Sequence, residues 1–390
     1  MGRFPLNDIV KSVLDAKLHA RPNRRRFLQG TGGLVALTML GGVPRAFAQQ
    51  LGGDLNYFGW DGEDGANVAR DFLAENGIRL QSQFQASGDE ALTRFNTGGR
   101  GTIDLLTPNK DFQRAILEAG TELFAPLDMS RIPNAEGLFP AFKNASWLTR
   151  DGNTYGVPLI WGDEPCVYNP AKWDGVPPKY TDFADPKYRG ELVILDDPFC
   201  YIWLFAKSAG IEDPSRLTQA QLEAVIESLL TIKPNVVTIA ASFADMADVL
   251  VRGDASMGPG GWAYQAMIGK EKGVDLAVAT PAEDGTYYWE DAYALAVDAP
   301  NPDNAYAFMN FMASPEANAA IATELGSGCT IEAAYDLMDP ALTSIYPYDV
   351  VRQADGGILN TQIVFPPQEA DGDIVPASAW IEAWQAFKLA

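Results

Sequence analysis

Histidine is almost missing from this 390-residue chain, and the single one, His19, lies in a segment that reads as a leader. Beyond residue 48 there is none, which excludes Ser-His and Cys-His nucleophile systems and histidine-ligated metals. Cysteine is nearly as scarce. Cys166, Cys200 and Cys329 leave open either one disulfide with a free thiol or three small buried hydrophobes, with Cys166–Cys200 the pairing expected if a bond forms. Positive charge is also in short supply. Residues 1–48 hold eight of the 29 basic and two of the 51 acidic residues, so the remainder carries 21 basic against 49 acidic, a formal net charge of −28. Such a surface repels nucleic acid and anionic lipid and concentrates cations. No segment is long and apolar enough to span a bilayer.

Residues 1–48 read as a targeting segment. Asn23-Arg24-Arg25-Arg26-Phe27-Leu28-Gln29 resembles the twin-arginine export motif, with Arg24 and Arg25 as its pair. A mild, glycine-rich apolar stretch follows, and Ala46-Phe47-Ala48 reads as a cleavage site. Without a cysteine near that cut, a soluble periplasmic product is expected rather than a lipid-anchored one.

The remaining length, near 340 residues, exceeds what one core usually supports and suggests two domains. Strand and helix signals alternate. Leu55–Trp60, Ile78–Phe84 and Thr102–Thr107 read as strands separated by helical spacing, a βαβαβα pattern that implies a mainly parallel sheet wrapped by helices. A helix capped by Ser87 and carrying Leu92 and Phe95 belongs to this pattern. The grammar resumes at Leu192–Leu195, Val236–Ile239, Ser256–Gly258 and Val274–Ala279. Between the two halves stands Tyr155-Gly-Val-Pro-Leu-Ile-Trp-Gly-Asp-Glu-Pro-Cys-Val-Tyr-Asn-Pro170, where an apolar strand is broken by Gly162 and Pro165 just as Asp163 and Glu164 appear. This reads as a hinge. Ala292–Val297 resembles it and suggests a second crossing. The expected division is residues 49–163 with 292–340 in one lobe and 164–291 with 341–390 in the other.

Ligands of open parallel sheets sit beyond the carboxyl ends of the strands. Those positions are rich in acids and tryptophans: Trp60, Asp61, Glu63; Asp89, Glu90; Asp196-Asp197; Trp289, Asp291; with Trp262 a further candidate. An aromatic face and a carboxylate are the groups that hold an alkylammonium, one through its quadrupole and the other through charge-assisted hydrogen bonds. Taken singly, each of these residues is equally at home as a helix cap or a core side chain.

From about Leu55 to Lys388 the sequence resembles the periplasmic solute-binding proteins of polyamine ABC importers. The resemblance is carried by Tyr57-Phe58-Gly59-Trp60, Ile103-Asp104-Leu105-Leu106-Thr107-Pro108, Tyr155–Gly162, Leu195-Asp196-Asp197, Tyr288-Trp289-Glu290-Asp291 and Ile345-Tyr346-Pro347. It implies a two-lobed type II α/β binding-protein fold, a monomeric receptor for a small cationic solute, and delivery to an inner-membrane permease without catalysis or cofactor. It also implies that Trp60 and Trp289 flank the ligand while Asp291 and Asp197 bind its amines. Three features depart from the pattern. Cys200 stands where the proteins it resembles often carry a glutamate, and Lys110 places a cation where a cation is expected to bind; Asp163 and Glu164 put acids at a hinge that is usually neutral. The competing readings are a receptor of the same fold for another solute, or a periplasmic hydrolase using Asp61 or Glu63 with Asp197.

Overall fold

The computed structural model describes residues 51–85, 93–118, 122–143, 145–353, 365–367 and 369–390. Arg24, Arg25, Ser87, Asp89 and Glu90 lie outside these residues. The strands in chain order are β1 (Gly53–Gly59), β2 (Ile78–Phe84), β3 (Leu105–Leu106), β4 (Thr149–Arg150), β5 (Asn153–Thr154), β6 (Val157–Asp163), β7 (Cys166–Tyr168), β8 (Leu192–Leu195), β9 (Val236–Ala240), β10 (Met257–Gly258), β11 (Ala277–Ala279), β12 (Tyr288–Leu295) and β13 (Gly328–Cys329). Apart from the β4–β5 hairpin they form two sheets, ordered β13-β6-β12-β3-β1-β2 and β11-β7-β10-β8-β9.

Each sheet has its own core. In the first, Leu55, Tyr57, Leu105, Leu159, Trp161, Phe308 and Ile321 are buried together; in the second, Val193, Ile194, Phe205, Leu222, Leu229 and Trp384 are. The βαβ repeats set parallel pairings at β1–β2, β1–β3, β8–β9 and β8–β10. Antiparallel pairing enters where the chain passes between lobes: β12 returns alongside β6, and β7 and β11 pair after the first crossing.

The crossing itself is short. β6 ends at Asp163 in the first sheet and β7 begins at Cys166 in the second, so Glu164 and Pro165 are the connection. Its partner comes earlier than Ala292. Tyr288–Asp291 already pair with β6, and the Glu164 N–H donates to Tyr287 O (3.2 Å), zipping the outgoing and returning strands. Residues 288–291 thus belong to the first sheet. Leu342, Tyr346, Tyr348 and Val351 pack in the first core, with Tyr346 and Tyr348 around the Trp161 indole at 5.9 and 5.3 Å. The C-terminal helix Ala377–Leu389 covers the second core, with Trp384 stacked on Tyr201.

The lobes also touch away from the hinge. Ala263 and Tyr264 follow β10 of the second sheet yet pack with the first core. Tyr264 lies flat on Gly326, where a Cβ would stand 2.6 Å from its ring and where φ is +61°. Only glycine suits that contact.

Candidate functional site

The first-lobe side of the cleft is organised by Thr107, at the end of β3. Its Oγ1 accepts the Trp60 N–H (3.1 Å) and lies 2.6 Å from the Tyr57 hydroxyl, which also donates to Trp60 O. Two strand ends are locked, and the turn after β1 is fixed. Within that turn the acids separate. Asp61 faces solvent, whereas Asp64 accepts from Ser82 Oγ (2.6 Å) and the Ala66 N–H and is structural. Glu63 turns inward, its carbonyl held by the Tyr293 hydroxyl (2.6 Å) and its side chain buried.

There Glu63 meets Asp291. The register of β12 against β6 shifts between Asp291 and Ala292, an irregularity of the kind that re-aims a side chain next to a site. Glu63 and Asp291 are in hydrogen-bond contact, with Thr107 on one side and Asn109 on the other. Burial, then the Asp291 charge, raises Glu63 well above the carboxylate range; burial likewise pushes Asp291 up to about 7, against the hydrogen bond it receives from Glu63. The two carboxyls are both driven toward the protonated form by burial. Even so, Glu63 Oε2 and Asp291 Oδ1 have no donor. Two like carboxyls in a dry place, each with an unmet acceptor, are poised to take an ammonium.

Lys110 does not block this pair as the sequence suggested. It is 1% exposed, and its ammonium donates to Tyr288 O (2.9 Å) and stands 3.8 Å from Glu290 Oε1, whose other oxygen takes the Trp147 indole N–H (2.8 Å). It serves Glu290 behind the strand because alternation along β12 turns Glu290 away from the face that carries Trp289 and Asp291.

The second cluster sits at the crossing. Trp289, partly exposed, lies against Gly162 of β6, where a Cβ would fall 2.4 Å from its ring. The glycine that interrupts the hinge sequence is therefore a seat for tryptophan. Asp163, next along, is buried with Oδ1 unmet, and burial raises it to about 7. Glu164 is buried as well, with Oε2 unmet; burial and the nearby Asp197 raise it, while hydrogen bonds from Tyr287 and Cys200 oppose the rise. Asp197 is partly exposed at the end of β8 and caps helix Pro198–Ser208, accepting the N–H groups of Phe199 (2.9 Å) and Cys200 (3.1 Å) with Oδ1. Trp262, partly buried with its indole N–H unmet, lies 5.1 Å from Tyr264.

Two acid groups thus emerge, Glu63 with Asp291 and Glu164 with Asp197, with Trp60 near the first and Trp289 beside the hinge. None of the four forms an ion pair with a described lysine or arginine. Glu63 is brought to Asp291. Thr107, Asn109, Tyr287 and Cys200 are the site neighbours that residue-type reasoning did not single out as ligand contacts. The period-two pattern of β3 and β12 was the signal that could have exposed Thr107. All three cysteines are free thiols in the buried interior. Among the described residues no acid or cysteine group has the arrangement of a metal site, and no helix is long and apolar enough to cross a membrane.

Two α/β lobes joined by paired crossings, with unmet buried acceptors at the junction, define a two-lobed type II binding-protein fold. The chain belongs to the family of bacterial extracellular solute-binding proteins, which it matches over residues 67–344. It is 25% identical over 300 residues to a spermidine/putrescine-binding periplasmic protein of Salmonella typhimurium, covering 75% of this chain and 83% of that one. A putrescine-binding periplasmic protein of Pseudomonas aeruginosa is 26% identical over 342 residues, covering 82% and 90%. Among solved structures, a putative spermidine/putrescine ABC transporter protein from Listeria monocytogenes superposes with a TM-score of 0.68 at 23% identity, over 86% of this chain and 99% of that one.

Proposed function

We propose that this chain is the periplasmic receptor of an ABC importer, a monomer exported through the twin-arginine route, that closes its lobes on a polyamine or similar small organic cation and delivers it to an inner-membrane permease. The observation that carries the reading is the buried Glu63–Asp291 pair, with one unmet oxygen on each residue and no described basic side chain in ion-pair contact. An ammonium satisfies both. Trp60 and Trp289 supply the aromatic faces for the methylene chain, and Glu164 with Asp197 face the ligand's other end. Binding shifts the hinge toward the closed form without turnover.

Calorimetry and thermal melting with putrescine, spermidine and a neutral amino acid test this. The amines raise the melting temperature, since a ligand of the folded state adds RT ln(1 + [L]/Kd) to stability, and are recovered unchanged. Preference for the neutral ligand, or its consumption, overturns the reading.

A further inference from the structure

Glu164 occupies an unusual place for a binding residue. It is the crossing itself, pinned by its N–H to Tyr287 O on the return strand and by its carbonyl, which accepts from Thr286 Oγ1 (2.5 Å). These two bonds fix its backbone at the hinge. The carboxyl is buried beside Asp197, Asp163, Cys200 and Tyr287, and Oε2 meets no donor. The Cys200 thiol and the Tyr287 hydroxyl are neutral, and both charged neighbours are acids. This part of the cleft contains no described compensating cation.

Resting on the amine reading above, we propose that Glu164 is the specificity-determining residue of the cleft: it makes a second positive charge on the ligand a requirement for tight closure, so that the site discriminates dications from monocations of equal length. A monoamine placed at Glu63 and Asp291 leaves the hinge acceptor of Glu164 unmet. A diamine meets both ends. Because the second anchor is on the crossing and Asp197 is on the other lobe, the distal ammonium joins hinge to lobe, and closure is coupled to ligand charge.

The test compares 1,4-diaminobutane with 1-aminobutane by calorimetry at pH 8, on wild type, Glu164→Gln and Asp291→Asn. Losing one partner of a buried charged contact corresponds to roughly 30- to 4,000-fold in affinity. Wild type is expected to favour the diamine by a factor in that range, and in Glu164→Gln the diamine-to-monoamine ratio falls toward 1. In Asp291→Asn both amines weaken. An unchanged ratio in Glu164→Gln overturns the proposal while leaving the amine reading in place, and failure of wild type to bind either amine overturns both. Gln is nearly isosteric with Glu, and should this variant fail to fold, the wild-type ratio decides alone: equal affinity for the two amines refutes the requirement for a second charge.

Discussion

Glu63 and Asp291 come from the turn after β1 and from β12 of the same sheet, held by Thr107, Tyr57 and Asn109, with the Lys110–Glu290 pair behind them; Glu164 and Asp197 come from the crossing and from the opposite lobe, with a thiol and a phenol for company. The first pair is built before any ligand arrives and moves as one body. The second changes its spacing whenever the hinge bends. Prearranged acids supply affinity, because little ordering remains to be done on binding, whereas acids that straddle a hinge convert binding into motion. Placing an unmet acceptor in each group divides the two tasks between them.

Trp289 links the groups, since it precedes Asp291 by two residues and rests on Gly162, one residue before Asp163. Gly162→Ala is the largest test of the comparison: the methyl collides with the ring, and overpacking of this kind costs about 1–3 kcal/mol. Calorimetry is expected to show mono- and diamine weakened together, with a changed near-ultraviolet tryptophan signal. Loss confined to the diamine would place the ring with the hinge group alone.

The next effect is pH. Asp291 and Asp163 are raised to about 7 in the folded protein, and Glu63 and Glu164 are raised well above the usual carboxylate range, all first by burial. For these groups the folded chain holds protons that the unfolded chain has released, so their contribution to stability is undiminished below about pH 4 and declines as pH rises toward 7 and above. An alkylammonium, still charged at pH 8, replaces those protons. Affinity for 1,4-diaminobutane is therefore expected to rise roughly tenfold between pH 6 and 8. Calorimetry in buffers of different ionisation enthalpy should register proton release, reduced in Glu63→Gln if the first pair supplies it. A flat profile would mean that the pair is already ionised. The smallest effect belongs to Asp61→Asn: an exposed rim acid contributes about 1 kcal/mol or less, and the same titration should barely change.

Much of this was legible in the residues. Gly162, Pro165 and the acids between them marked the crossing, because a buried strand cannot continue through that break, and strand ends marked Trp60 and Asp197, whereas Trp289 and Asp291, expected beyond a strand end, lie within β12. What stayed hidden was direction and partnership. Nothing in Trp60-Asp-Gly-Glu-Asp64 says that Asp61 points outward while Glu63 points in; the Tyr293 hydroxyl and Thr107, far along the chain, decide it. The strand order that lays β12 between β3 and β6 brings Asp291 to Glu63, and it also turns Lys110 onto Glu290. The return crossing read at Ala292 was late because Tyr288–Asp291 is polar enough to resemble a loop, although it is already paired. Tyr346 and Tyr348 read as part of the second lobe until Trp161 supplied the surface they enclose.

The seat of Tyr264 on Gly326 has a consequence for timing. A flat ring on bare backbone has no interlocking side chain to unthread, so parting the two surfaces meets only the loss of their contact and the entry of water between them. Such a clasp opens as readily as it shuts. The lifetime of the shut state then depends mainly on what lies in the cleft rather than on this contact.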